Sequence, residues 1–358
     1  MSGFDSRTAK AVWTIFLFAL GLVVIYYIRT VLLVFVLAIL LAYLLAPVVD
    51  LVSGWFRLRA RRVWALAIVY TAFVGVLVLA GALVGDRVAQ EASNLAQGFP
   101  KLEQTLEQRL SEPGPAWIQP VKNYLLTQIR EHGQSFSGVL VPVVQKAVSH
   151  AFSLLSSILF VVLIPILSFF FLKDGKEMLE SALGLLSEER REVWLDISAD
   201  VHNLLGQFIR ALVILSIATF VFYAAFFAVA RMPYAVLLAT IAGALEFIPV
   251  FGPLSAAVII VTVAIFAGYP HILAILIFLG AYRVFQDYIL SPHLMSSGVA
   301  LHPIVVIFGA LAGEALAGVP GMFLSVPVLA TLRVVFVRIR KSSRKALLEH
   351  TNRPAGGV

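Results

Sequence analysis

The sequence predicts an all-α, polytopic integral membrane protein with about eight hydrophobic segments, two of them broken or re-entrant at Pro/Gly, and an extracytoplasmic helical insert. Three observations carry this. The chain has 358 residues, of which 60% are hydrophobic and 13% charged, with a mean hydropathy of +0.95, whereas soluble domains carry roughly 25% charged residues. Apolar stretches at 11–28, 31–52 and 63–84 follow one another, each approaching the ~20 residues needed to cross a ~30 Å hydrocarbon core. Basic residues gather at Arg57, Arg59, Arg61 and Arg62 between two of these stretches, and at Arg338, Arg340, Lys341, Arg344 and Lys345 after the last. That is the positive-inside pattern of a membrane protein whose basic ends also contact anionic lipid.

Residues 1–85 are read as spans 1–3. The first is too long for a signal-peptide core, and no small-x-small cleavage site closes it before Tyr26, Tyr27 and Arg29, so it is kept as a span. A cytoplasmic Arg57–Arg62 loop places the N-terminus inside and residues 86–150 outside. In that insert Leu95, Phe99, Leu102, Leu106 and Leu110 recur at helical spacing, as do Val121, Leu125 and Ile129, with a break at Pro113, Gly114 and Pro115. Two amphipathic helices joined by a turn are expected. Residues 151–172 form span 4, and 173–204 a cytoplasmic amphipathic helix capped by Ser187 ahead of the charged run 188–192. Residues 205–337 hold spans 5–8, the expected transport core, and 338–358 a basic cytoplasmic tail.

The core departs from ordinary spans. The stretch 234–266 is interrupted by Pro249, Gly252 and Pro253, and 303–337 by Gly318, Pro320 and Gly321. Each half is about 24 Å as a helix, short for a full crossing. Either each stretch is one kinked span, or each is a re-entrant hairpin, the two entering from opposite faces. Hairpins are favoured, because Pro and Gly free backbone groups that membrane depth tolerates only against protein or a water-lined cavity.

Glu246 is the first candidate for a site, since an ionised carboxylate within apolar sequence costs about 2.5–3.5 kcal/mol at a helix centre. It either serves a proton, cation or substrate path beside the groups released at Pro249–Pro253, or fixes one helix to another. Arg283 and Asp287 are four apart and share a helical face with Gln286 nearby, as an ion pair, a gate or a counter-charge for Glu246. Glu314 lies in a Gly/Ala-rich stretch whose small residues permit close helix approach, and function and structure are equally open for it. Gly318, Pro320 and Gly321 are the expected hinge of the second broken segment.

The count of zero cysteines excludes disulfides, Cys-ligated metal and thiol nucleophiles. The net charge of +7 sits at membrane-flanking positions and does not point to nucleic acid. His302 has no second ligand at metal spacing. No P-loop, dinucleotide fingerprint or nucleophile-base pair is present, so no cofactor, no metal and no enzyme activity are expected, and transport would be secondary or channel-like.

Glu246-Phe-Ile-Pro249-Val-Phe-Gly252-Pro253, Gln286-Asp287-Tyr-Ile-Leu-Ser-Pro292, Leu301-His302-Pro303 and Gly321-Met-Phe-Leu-Ser-Val-Pro327 resemble the autoinducer-2 exporter family, also described as PerM-type permeases. The order of segments resembles that family over nearly the whole chain. The resemblance implies a bacterial inner-membrane transporter and a homo-oligomer. It also implies a translocation region at Glu246, Pro249, Gly252, Pro253, Gln286, Asp287 and Pro292. Three functions follow as expectations: export of a small polar molecule such as an autoinducer-2-like signal, sodium(lithium)/proton antiport on the same architecture, or a membrane scaffold that transports nothing.

Overall fold

The computed structural model describes residues 6–55, 62–111, 119, 162–294 and 301–351. Its elements are α1 Ser6–Trp55, α2 Arg62–Ser111, α3 Ile164–Leu183, α4 Glu188–Val229, α5 Ala235–Leu245, α6 Phe251–Phe266 and α7 Ile272–Phe285. A π-helical turn Gln286–Leu290, α8 Ser291–Leu294 and α9 Pro303–Thr351 complete them. The expected Pro113–Pro115 turn, the helix with Val121, Leu125 and Ile129, and the bases Arg57, Arg59 and Arg61 lie outside the described residues, as does the fourth span up to residue 161. Ser187 takes the extended backbone of an N-cap before α4, but its side chain makes no capping bond.

The two stretches expected as spans 1 and 2 form a single helix of 50 residues, about 75 Å long. The reason is local: Tyr26-Tyr27-Ile28-Arg29-Thr30 contains neither Pro nor Gly, so nothing interrupts the i→i−4 ladder. α2 is likewise a single helix of 50 residues, joining the third expected span to the first part of the insert.

Helix directions follow from pairs at known depths on α4. Tyr43 of α1 meets His202 at 4.8 Å between rings. Arg338 of α9 reaches Asp196 and Asp200, while Val326 packs with Phe208 and Leu212 and Leu316 meets Arg29. α1 therefore runs antiparallel to α4, and residue 10 and Arg338 lie at opposite ends of the bundle. The expectation that both termini share the cytoplasmic side rested on counting α1 as two crossings, and it loses that basis here.

Both interrupted stretches are hairpins. Tyr269, just past α6, donates to the carbonyl of Ala230, just before α5, at 2.7 Å, so the chain enters and leaves at one level. α5 and α6 share a core with Val88, Ala92 and Leu95 of α2. In α9 the helix breaks at Ala317 (φ −143°) and Gly318 (φ 65°), the latter a left-handed position suited to glycine. Gly313 and Gly321 then lie back to back, each leaving no room for a Cβ beside the other's carbonyl, and Gly309 faces Ser325 and Leu329. The first hairpin opens toward the Val229 end of α4 and the second toward the Asp196 end. They overlap where Phe247 and Phe323 meet at 5.7 Å.

Among the described residues five helices are long and apolar enough to span a membrane, although α9, one of them, is folded at its break. Several intramembrane hydroxyls are paired: Tyr70 with Ser168 at 2.5 Å, Thr219 with Tyr282 at 2.9 Å, and Ser216 donating to the Gly243 carbonyl at 2.7 Å. In a medium without water each such pair removes a desolvation penalty.

Candidate functional site

The site is built on the tip of the first hairpin. Glu246 caps α5, and Val250 precedes α6 with φ 66°, an outlier for a β-branched residue. Such strain persists only where the surroundings over-determine the backbone, and it clusters at functional sites. Gly252 is required here, because a Cβ would strike the Leu245 carbonyl. Pro249 and Pro253 fix the backbone on either side.

This turn carries the Glu246 carboxylate to Gln286, whose Nε2 donates to Oε2 at 2.7 Å. Both side chains are buried, at 9% and 3% exposure. Gln286 opens the π-helical turn after α7, a departure from regular helix that is frequent at functional sites. A buried carboxylate bonded to a neutral amide, with no cation hydrogen-bonded to it, is held in place without being neutralised. One turn away Arg283 Nε donates to Asp287 Oδ2 at 2.8 Å, both side chains half-exposed. That pair compensates itself and leaves Glu246 with the neutral amide of Gln286 as its hydrogen-bond partner.

Around these groups lies a cavity of about 300 Å³. Six of the expected residues line it: Glu246, Pro249, Pro253, Arg283, Gln286 and Asp287. Gly252 stands behind the wall and shapes the turn. Glu314 does not line the cavity and is exposed on the second hairpin. Gly318, Pro320 and Gly321 make that hairpin's bend, at a distance along the chain from the Val326 wall.

Sequence reasoning missed nine lining residues, among them Gln207 and Phe208 of α4, Ser291 of α8 and Val326 of α9. Gln207, a polar residue in an apolar span, was the available signal, while Phe208 and Val326 are indistinguishable from ordinary core positions. Two charged contacts outside the cavity were also missed. Glu91 of α2 accepts from the Leu237 backbone N–H at 2.8 Å, and Arg338 spans Asp200 at 2.6 Å and Asp196 at 3.0 Å. Among the described residues no group of three His, Asp or Glu side chains converges in a way that would hold a metal.

The profile of the AI-2E family transporter matches residues 15–341. "Putative transport protein YueF" of Bacillus subtilis is 25% identical over 319 residues, covering 86% of this chain and 85% of that one. "Putative permease PerM" of Escherichia coli K12 is 28% identical over 307 residues, with 81% of each chain covered. "Putative transport protein YrrI" of Bacillus subtilis is 29% identical over 227 residues, and the match spans 63% of each. A multi-pass helical fold, a buried carboxylate in a cavity between two opposed hairpins, and a profile covering nearly the whole chain agree: this protein belongs to the AI-2E family of membrane transporters.

Proposed function

We propose that the chain is a secondary transporter that exports a small polar molecule, such as an autoinducer-2-like signal, through the cavity at the tip of the first hairpin. The observation that carries this is the buried Glu246–Gln286 pair inside a cavity of about 300 Å³ where two hairpins from opposite ends meet. A cavity of that size is at the small end of ligand sites. Its walls are largely apolar, with convergent polar groups at Glu246, Gln286 and Gln207 that can orient a hydroxylated cargo. The ionisable groups that line it are Glu246, Asp287 and Arg283, of which Arg283 and Asp287 pair with each other. Opposed hairpins with freed backbone at mid-depth are the architecture on which alternating access runs in secondary transporters.

A second reading rests on a specific feature of the same group. The Glu246 carboxylate is bonded to a neutral amide rather than to a cation, so it can exchange a proton for Na⁺ or Li⁺, as an antiporter requires. In both readings the basic end is cytoplasmic in a bacterial inner membrane, and copies of the chain associate. Flux in proteoliposomes of wild type and Glu246→Gln separates the readings. A sodium-driven pH change lost in the variant supports antiport, and efflux of a labelled small polar diol lost in the variant supports export. Absence of both from correctly inserted protein leaves the scaffold reading.

A further inference from the structure

Arg29 is the only charged residue between Lys10 and Asp50, midway along the apolar α1. It stands alone on a long apolar stretch, and an isolated charge there calls for a partner. The partner is in the second hairpin: Nη1 donates to the Leu316 carbonyl at 3.1 Å. A continuing helix would satisfy that carbonyl through the N–H of residue 320. Residue 320 is proline, and the chain leaves the helix at Ala317 and Gly318. Arg29 supplies the missing donor and places a positive charge at the carbonyl end of the first leg, where the helix dipole favours it. The ring of Tyr26 lies under the guanidinium at 4.4 Å and holds it in place.

The first hairpin is held in the complementary way. Glu91 of α2 accepts from the Leu237 N–H at 2.8 Å, an anion at the amino end of α5. The two N-terminal helices thus each contribute one charge, of the sign that fits the helix end it meets. The second hairpin also supplies Val326 to the cavity wall and Phe323 against Phe247 of the first hairpin's tip. Its placement on α1 therefore sets the shape of the cavity.

We propose that Arg29 is a positioning residue for transport, a latch between α1 and the bend of the second hairpin whose closure fixes that hairpin against the Glu246 tip. The proposal rests on the transport reading for its functional part, and on geometry alone for the latch.

Because the chain has no cysteine, introduced pairs report without background. Tyr27→Cys and Val319→Cys, at positions 80% and 60% exposed, would be spin-labelled in lipid nanodiscs and their separation measured. Arg29→Gln is expected to lower the share of molecules at the wild-type separation about tenfold, as loss of a charged hydrogen bond implies. Arg29→Lys, which keeps charge and donor, should retain most of it. Whichever flux the wild type shows, sodium-driven pH change or diol efflux, should lose maximal rate in Arg29→Gln with half-saturation unchanged, because no cavity residue is altered. If Arg29→Gln does not insert, Tyr26→Leu carries the same expectation in smaller degree. A distance distribution that superposes on wild type, or an unchanged maximal rate, overturns the latch. If neither probe is carried, the separations alone decide the latch, and that failure falls on the transport reading.

Discussion

Gly252→Ala tests whether the hairpin tip is as tightly determined as its geometry indicates. The added Cβ would strike the Leu245 carbonyl. The backbone cannot easily retreat, since the Gly252 N–H is already bonded to the Ile248 carbonyl at 3.0 Å, Pro253 follows, and Val250 holds φ 66°. Overpacking of this kind costs about 1–3 kcal/mol. The propensity gain of alanine over glycine offsets at most about 1 kcal/mol. The net loss should lower the melting temperature by on the order of a few degrees. It should also lower flux about tenfold, since each 1.4 kcal/mol on the arrangement that presents Glu246 is about a factor of ten. Gly280→Ala on α7 is the control, because nothing lies within 4 Å of a Cβ there. Its expected effect is neutral to slightly stabilising. Thermal unfolding in detergent and flux in proteoliposomes would be read on both variants. If the two alanine variants melt and transport alike, the close approach of Gly252 to Leu245 is not what shapes the tip.

Val250→Gly should raise the melting temperature, since relief of a positive φ is worth on the order of 1–3 kcal/mol, and an unchanged or lower value would contradict the strain. A double-mutant cycle of Thr219→Val and Tyr282→Phe should return a coupling near the ~0.6 kcal/mol typical of intramembrane hydrogen bonds, and a zero coupling would remove the 2.9 Å bond from the account. The Arg338 hydrogen bond holds the Asp200 carboxyl below the usual carboxylate range. Its contribution is present above the unfolded value of about 3.9 and fades as pH falls through the lower folded value. Asp200→Asn should therefore melt slightly below wild type at neutral pH and low salt, with the two converging in acid and at high salt.

Chemistry that is local in sequence was legible there. Proline and glycine at Pro249–Pro253 and Gly318–Gly321 read as breaks because they remove backbone donors or admit φ values other residues avoid. The hairpins follow from those breaks. Arg283 and Asp287 read as a pair because a helix brings i and i+4 together. Glu246 read as a site because a lone carboxylate is expensive in lipid. The continuity of α1 was not legible: hydropathy sees two lengths of about 20 residues either side of one arginine, and a single long helix has the same composition. The role of Arg29 was equally hidden, since its carbonyl partner is 287 positions away. Gln207, Ser291 and Val326 became lining residues only through the crossing of α4, α8 and α9, which no local pattern encodes. Glu314 shows the converse. A charge within apolar sequence was a fair signal, yet the residue is exposed and does not line the cavity.

The depth of the cavity decides which side it serves. Its lining on α4 runs from Leu204 to Leu215, with Ser291 and Asp287 beyond Gln286 toward the Arg338 end. Toward the other end, Thr219 is bonded to Tyr282. Above that bond Tyr223, Phe226, Phe227 and Phe278 pack ring on ring, Phe226 and Phe278 stacked at 3.9 Å. A cargo in the cavity thus meets a closed aromatic layer in one direction and the half-exposed Arg283–Asp287 pair in the other. Under the proposed transport function, this arrangement corresponds to an access state open toward the basic end. Single cysteines in this cysteine-free chain test it: Gln207→Cys and Ser291→Cys should react with a membrane-impermeant thiol reagent applied to the cytoplasmic face of inverted vesicles. Thr219→Cys, at a position 2% exposed, should not. Reaction of Gln207→Cys only from the opposite face would reverse the assignment of the open side. Equal reaction of Thr219→Cys would mean that the aromatic layer does not seal.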